Sequence, residues 1–170
     1  MTDETIISAI LEREGGGFVD HPADRGGPTR HGVTQATLSE WLGRPASRDE
    51  VELLSETDAR QIYRDRFIYA PRLFKVGDGR LRALLVDCAV NHGPGTAVKF
   101  LQHALGVVED GVIGPATLAK LETADALAIY RRVCAERVRY YGRIISNNHS
   151  QAVFAAGWCA RAAEFIEDAA

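Results

Sequence analysis

The sequence predicts a mostly α-helical fold with one irregular segment or small β-hairpin after the first helix. Three observations support this fold class. Apolar residues recur with helical spacing along most of the 170 residues, Gly and Pro separate these segments, and residues 18–33 lack the helical pattern. With 46% hydrophobic and 25% charged residues, the composition is that of a globular chain. A chain of this length buries about 70% of its extended surface, enough for one substantial core.

The first helix is predicted to begin at a Thr2 or Asp3 cap, with Ile7 and Leu11 on its apolar face. It ends at the three glycines of residues 15–17, since glycine disfavours the helix interior and readily adopts the positive φ of a helix end. Residues 18–33 are rich in Gly, Pro and Asp, which predicts a structured loop or hairpin.

Helical patterns fill the rest of the chain. Short helices are predicted after the caps Thr34 and Ser47, the latter with Glu50 in a capping box. Further helices are expected over residues 56–69, 79–92, 96–105, a short segment from Pro115, 124–145 and 151–168. The one soft boundary near residues 76–79 divides the chain into an N-terminal part, 1–76, and a C-terminal helical part, 77–170, which we expect to pack as one globular unit.

Charge and hydropathy exclude several function classes. Lys and Arg number 20 against 23 Asp and Glu, so the net charge of −3 favours neither nucleic acid nor an anionic membrane surface. No segment approaches the ~18 apolar residues of a membrane span, so we expect no stable membrane insertion. The acidic N-terminus does not resemble a signal peptide, which predicts synthesis in the cytoplasm without one.

The cysteines and histidines indicate no metal site. The three cysteines, Cys88, Cys134 and Cys159, are far apart and odd in number, so no disulfide framework follows. Cys88 and Cys134 lie in apolar helical patterns, where free cysteines pack as small hydrophobic residues in a reducing compartment. The five histidines lack zinc-ligand spacing. We therefore expect no metal and no other cofactor.

Glu14 is the first candidate for chemistry. Helical phase places it beside Leu11 on the apolar face, whereas Glu12 lies on the polar face. Partial loss of water favours the protonated form of a carboxyl, which is the form that a general acid needs. The alternative is a carboxylate at a helix end that only pairs with an arginine: Arg13, Arg25 or Arg30.

The loop after the glycines supplies candidates for a second catalytic group. Asp20 or Asp24 could provide the second carboxylate of a glycoside-cleaving pair, in which one carboxyl protonates the leaving oxygen and the other activates water or stabilises positive charge. Thr29 could position a water molecule. The alternatives are Asx turns for the two aspartates and a turn hydroxyl for Thr29.

The same residues carry a resemblance to a known family. The segment EGG at 14–16, followed by FVDHPADRGGPTRHGVT at 18–34, resembles the signature of the glycoside hydrolase family 108 lysozymes. LVDCAVNHG at 85–93, with LQ at 101–102 and DGVIGPAT at 110–117, resembles the peptidoglycan-binding type 3 domain that follows the lysozyme part in these proteins. The resemblance covers residues 5–165.

This resemblance implies a lysozyme-like fold and N-acetylmuramidase activity, the hydrolysis of the β-1,4 bond between N-acetylmuramic acid and N-acetylglucosamine. Glu14 matches the catalytic acid of the family, and we expect Asp24 and Thr29 to assist it. A third glycine before Phe18, where the family has two, makes Glu12 a competitor for the acid. The expected substrate-binding residues are Asp20, His31, Tyr63, Tyr69 and Asn91.

The expected partner is the glycan strand of peptidoglycan, reached in the periplasm or cell wall through a holin-like pore or a dedicated export route. A monomeric phage endolysin or secretion-associated muramidase fits these expectations. Two alternatives stay open: a non-catalytic peptidoglycan-binding secretion accessory protein, which would lack turnover, and a lytic transglycosylase, which would leave an anhydro sugar.

Overall fold

The computed structural model describes residues 1–20 and 27–167. It is 73% helical, with a small antiparallel sheet after the first helix, which confirms the predicted fold class. The chain forms two compact units, Met1–Ala70 and Pro71–Ala170. This division lies six residues before the boundary that the sequence suggested.

Unit 1 consists of helices around a three-stranded sheet. Its elements in order are α1 (Asp3–Glu14), β1 (Phe18–Val19), β2 (Thr29–Arg30), β3 (Val33–Thr34), α2 (Gln35–Leu42), α3 (Arg48–Glu52), α4 (Glu56–Tyr63) and a π-helix (Arg64–Tyr69). The buried apolar side chains of α1 and α4 contribute to its core: Ile6, Ile7, Ile10, Leu11, Ala59 and Ile62.

Local sequence signals set the helix ends of this unit. Thr2 caps α1, Thr34 caps α2, and the capping box of Ser47 and Glu50 opens α3, as predicted. Gly15 ends α1 with φ of 73°, and its N–H donates to the Leu11 carbonyl at 3.0 Å. The chain therefore leaves α1 at Glu14 and turns at once into the sheet.

The sheet is a meander in the order β1–β2–β3. Phe18 pairs with Arg30, and Arg30 pairs with Val33. His31 and Gly32 form the turn between β2 and β3, with φ of 52° and 72°. Two consecutive positive φ values belong to the tight hairpin turn whose twist matches that of the strands.

The elements of unit 2, among its described residues, are all helices. The unit contains a 3₁₀ turn (Leu73–Lys75), α5 (Gly79–His92), α6 (Pro94–Leu105), α7 (Pro115–Thr123), α8 (Ala126–Asn147), a second 3₁₀ segment (His149–Phe154) and α9 (Ala155–Glu167). Three helix starts differ from the prediction, and one of them is that of α9, which begins at Ala155 rather than at residue 151. α6 begins at Pro94, which suits the first helical position, and α8 is capped by Asp125, whose carboxylate accepts from Leu127 N–H at 3.0 Å.

Helices α5, α6 and α8 pack together as the core of unit 2. Cys88 and Cys134 are buried there as predicted, and Cys159 is exposed. Buried Gln102 donates to Asp110 at 2.7 Å and accepts from Gly111 N–H at 2.8 Å, which ties the loop before α7 to α6. Across residues 1–20 and 27–167, no helix combines the length and apolar character needed to cross a membrane.

Candidate active site

The end of α1 and the β2–β3 turn bring Glu14 and Gly32 into contact. A Cβ built on Gly32 would lie 2.9 Å from Cγ and 3.0 Å from Cβ of Glu14, closer than real side chains pack. The aliphatic part of Glu14 thus rests on the one residue of the turn that has no side chain. This contact holds the Glu14 side chain beside the tip of the hairpin.

Tyr63 supports the same turn through a hydrogen bond and a close contact. Its hydroxyl donates to the His31 carbonyl at 3.1 Å, and it occupies the space that a side chain at residue 32 would need. Tyr63 is only 2% exposed. Its ring therefore has almost no free surface for a sugar, and its position assigns it to holding the hairpin rather than to the substrate contact that we expected.

Glu14 itself is exposed. The sequence pattern placed it at the edge of an apolar face, with partial loss of water, and this expectation is wrong. The reason is local: Glu14 is the last residue of α1, and the glycines at 15–17 have no side chains to cover it. The carboxyl is consequently accessible to a ligand.

A depression of about 250 Å³ lies along the other side of the hairpin turn. His31, Gly16 and Glu12 line it, and the His31 ring lies 3.5 Å from the position of a Cβ on Gly16. A Cβ at residue 16 would therefore make only an ordinary van der Waals contact with the imidazole. Glu12, the competitor for the role of acid, faces this depression, whereas Glu14 faces Gly32.

Arg60 of α4 also lines the depression, and sequence reasoning missed it. Its guanidinium donates to Ser8 Oγ at 3.0 Å and to Glu56 Oε1 at 2.9 Å. The spacing of Glu56 and Arg60 by four residues was visible in the sequence, but it indicates only a surface ion pair on a helix. The proximity of Arg60 to His31 depends on how α4 packs on α1.

Asp20 is held by a cation. Its Oδ2 accepts from Arg48 Nε at 2.6 Å, and Arg48 also donates to Glu52 at 2.7 Å. The hydrogen bonds that Arg48 donates to the carboxylates of Asp20 and Glu52 raise the pKa of Arg48. The Arg48 guanidinium lies over the Phe18 ring, 4.9 Å from its centroid. Asp20 thus fastens the strand β1 to α3, a role that the sequence did not suggest.

Three further candidate site residues, Thr29, Tyr69 and Asn91, lie in three different elements. Thr29 lies on β2, and its hydroxyl donates to the Gly27 carbonyl at 3.3 Å, as in the alternative of a turn hydroxyl. Tyr69 ends the π-helix and is 48% exposed. Asn91 belongs to unit 2, where its amide donates to the Asp87 carbonyl at 2.7 Å within α5. Asp24 lies outside the described residues.

The site in unit 1 therefore gathers Glu14, His31 and Tyr63 around Gly32, with Thr29 on the adjoining strand. Its chemical groups are one accessible carboxyl, one imidazole and the hydrogen-bonding groups of a rigid turn. Among the described residues, no group of three or more His, Cys, Asp or Glu side chains could hold a metal ion. The arrangement suits proton transfer to a bulky substrate that lies on the hairpin.

Comparisons with known proteins confirm the resemblance seen in the sequence. Residues 7–93, more than half of the chain, match the family described as Glycosyl hydrolase 108, and residues 96–163 match the family described as Predicted Peptidoglycan domain. The structure is similar to that of SagA from Brucella abortus, with 34% sequence identity and a TM-score of 0.85 over 98% of this chain and 92% of that one. A search of curated proteins found no match.

Proposed function

The chain belongs to the glycosyl hydrolase 108 family and is a glycoside hydrolase that acts on peptidoglycan, and on this basis we propose that it is an N-acetylmuramidase with Glu14 as its general acid. The observation that carries this proposal is the position of Glu14. Glu14 is an exposed residue at the end of α1, and its Cβ and Cγ contact Gly32 at the tip of the hairpin. Tyr63 holds this hairpin in place by its hydrogen bond to the His31 carbonyl. The substrate would be the β-1,4 bond between N-acetylmuramic acid and N-acetylglucosamine.

In the proposed reaction, a glycan strand lies over the hairpin and displaces water from Glu14. Loss of water favours the protonated carboxyl, which then donates its proton to the glycosidic oxygen as the bond from that oxygen to the anomeric carbon breaks. A water molecule adds to the anomeric carbon, which has carried positive charge in the transition state. The proton that this water releases passes to solvent, from which Glu14 is protonated again. We propose that Asp24, with Thr29, stabilises that charge or orients the water.

The other residues of the site would position the substrate. His31 offers an imidazole on the exposed side of the turn, and Tyr69 offers an exposed ring. Asp20 would contribute through Arg48, by holding β1 in place. For Asn91 we retain a proposed substrate contact, although its amide already bonds to Asp87 in the same helix.

The test is the hydrolysis of purified sacculi by wild type, Glu14→Gln and Glu12→Gln. We expect loss of turbidity clearance only for Glu14→Gln, with unchanged helical content by circular dichroism. Glu12→Gln is the matched control, because it removes an exposed carboxyl from the same turn of the same helix. Retained lysis by Glu14→Gln would exclude Glu14 as the acid.

Product analysis decides which reaction occurs. Mass spectrometry of the released fragments should show reducing N-acetylmuramic acid ends. Anhydro sugar ends would instead identify a lytic transglycosylase, and absence of any released fragment would identify a binding protein without turnover. We further propose that the protein acts as a monomer, is made in the cytoplasm, and reaches peptidoglycan through a holin-like pore or a dedicated export route.

A further inference from the structure

Three aromatic side chains of unit 2 form a row that runs from the core to the surface. Tyr141 of α8 and Trp158 of α9 stack with their ring centroids 5.3 Å apart and their planes 18° apart. Phe154, which ends the 3₁₀ segment before α9, follows at 5.9 Å from Trp158. We call these three residues the aromatic row.

The inner end of the aromatic row is rigid. Tyr141 is 4% exposed, its hydroxyl accepts from Arg137 Nε at 2.6 Å, and the His92 ring meets it edge-on at 5.3 Å. A buried phenol with a charged hydrogen-bond donor and an aromatic neighbour has little freedom to change rotamer. Trp158, stacked on Tyr141, is therefore held in a defined orientation.

The outer end of the aromatic row faces solvent. Phe154 is 53% exposed, and the preceding Val153 is 77% exposed. A Cβ built on Gly157, beside Trp158, would meet no atom within 4 Å, so the surface next to the ring is open. Adjacent exposed apolar side chains in a structured segment indicate a binding surface.

The charge of this segment narrows the choice of ligand. Residues 144–160 contain no Asp, Glu, Lys or Arg. The residues shortly before Phe154 instead carry hydrogen-bonding side chains that are neutral or weakly basic: Ser146, Asn147, Asn148, His149, Ser150 and Gln151. An anionic membrane surface or a nucleic acid would require a basic segment. Amide and hydroxyl side chains that precede an exposed ring in the chain instead match a neutral ligand with many hydroxyls and apolar faces.

We infer that the aromatic row is a second glycan site, in which Phe154 stacks on the neutral sugar backbone of peptidoglycan outside the hydrolytic site. This inference rests on the proposed function for the identity of the polymer. The match to the peptidoglycan domain spans residues 96–163 and includes all three rings. The polarised C–H bonds on one face of an N-acetylated pyranose ring are attracted to the electron-rich face of an aromatic ring, and its hydroxyl and acetamido groups pair with amide side chains.

The test measures binding of the full chain carrying Glu14→Gln to purified sacculi by co-sedimentation on ice. Adding Phe154→Ala or Phe154→Leu should weaken binding by roughly three- to tenfold, the contribution of one aromatic contact. Phe154→Trp, which keeps a ring, should bind as the parent does. Val108→Ala is the matched control, because it trims an exposed valine of unit 2 that lies outside the segment of the aromatic row.

Two further measurements identify the occupant. Binding should survive when an amidase has removed the peptide stems, and glycan strands released from such sacculi should compete for it. Binding only to the stem peptides, or equal binding by all Phe154 variants, would overturn the inference. So would a dimer in sedimentation velocity that Phe154→Ala dissociates. Failure of the proposed function is seen separately, as continued hydrolysis by Glu14→Gln.

Discussion

Glu14 and Gly32, 18 positions apart in the chain, meet where the end of α1 touches the tip of the β2–β3 turn. The contact uses the Cβ and Cγ of Glu14 and leaves its carboxyl accessible. Gly32 is required there for two reasons: its φ of 72° disfavours any other residue, and a side chain would overlap both Glu14 and the Tyr63 hydroxyl. The hairpin thus sets the position of the proposed acid.

Gly32→Ala should lower both stability and hydrolysis. We expect a loss of about 2 kcal/mol in the free energy of unfolding, from backbone strain and overpacking, together with a fall in the rate of sacculus hydrolysis. Urea unfolding and turbidity clearance measure the two effects. Gly17→Ala is the control, because a Cβ there meets nothing within 4 Å, and it should resemble wild type. Equal behaviour of the two variants would refute the argument from packing.

Tyr63→Phe should separate positioning from binding. Removal of the hydroxyl leaves the His31 carbonyl without this donor, at a cost of about 1 kcal/mol in unfolding free energy. If Tyr63 holds the turn, kcat on soluble glycan fragments should fall while KM changes little. A rise in KM with unchanged kcat would show instead that the hydroxyl contacts substrate.

The two aspartates of the loop should differ in effect. Asp20 is in an ion pair with Arg48, so Asp20→Asn should loosen β1 without removing a catalytic group. Hydrolysis should persist in Asp20→Asn and be lost in Asp24→Asn, which sequence reasoning gives the role of second carboxyl. The comparison uses initial rates on the same sacculi. A dead Asp20→Asn beside an active Asp24→Asn would reverse the assignment.

Asp87→Asn should strongly destabilise unit 2. The Asp87 carboxylate accepts from Arg137 at 2.7 Å and from Arg161 at 2.8 Å, and both Asp87 and Arg137 are 1% exposed. Removing the carboxylate leaves a buried guanidinium without its counter-charge, which costs about 3–5 kcal/mol. Urea unfolding measures this loss. Glu122→Gln, a change at an exposed carboxyl, should leave the unfolding midpoint unchanged.

The protein should lose stability as pH falls from about 6.5 to 4, in part through His92. Burial against Phe100, Tyr140 and Tyr141, aided by the charge of Arg137, lowers the pKa of His92 from 6.5 to about 4. In this window the unfolded chain binds a proton at His92 that the folded chain does not, so acid favours unfolding.

His92→Phe keeps a ring in the aromatic cluster and removes this titration. Between pH 6.5 and 4, the unfolding free energy should fall in both proteins, but the fall should be smaller in the variant. The difference between the two should be about 2 kcal/mol, a figure that is reduced because the ring is partly exposed. Denaturant midpoints across this range provide the measurement. Identical slopes for wild type and His92→Phe would show that His92 does not contribute.

Local sequence determined a large part of this protein. The caps at Thr2, Thr34 and Ser47, the glycines after Glu14 and the helical spacing of apolar residues specify where elements begin and end, because these preferences act between neighbours in the chain. The motif around Glu14 likewise identified the family from its residues alone, before any contact was known.

Tertiary structure decided the surroundings of the candidate residues. Three contacts define these surroundings: Glu14 with Gly32, Tyr63 with His31, and Asp20 with Arg48. The two residues of each contact are 18 to 32 positions apart in the chain, so each contact depends on how completed elements pack. Sequence spacing gave Glu14 an apolar environment, but packing leaves it exposed. We expected Tyr63 to contact substrate, but packing buries it. Helical phase reports which side of a helix a residue occupies, whereas exposure also depends on which other element covers that side.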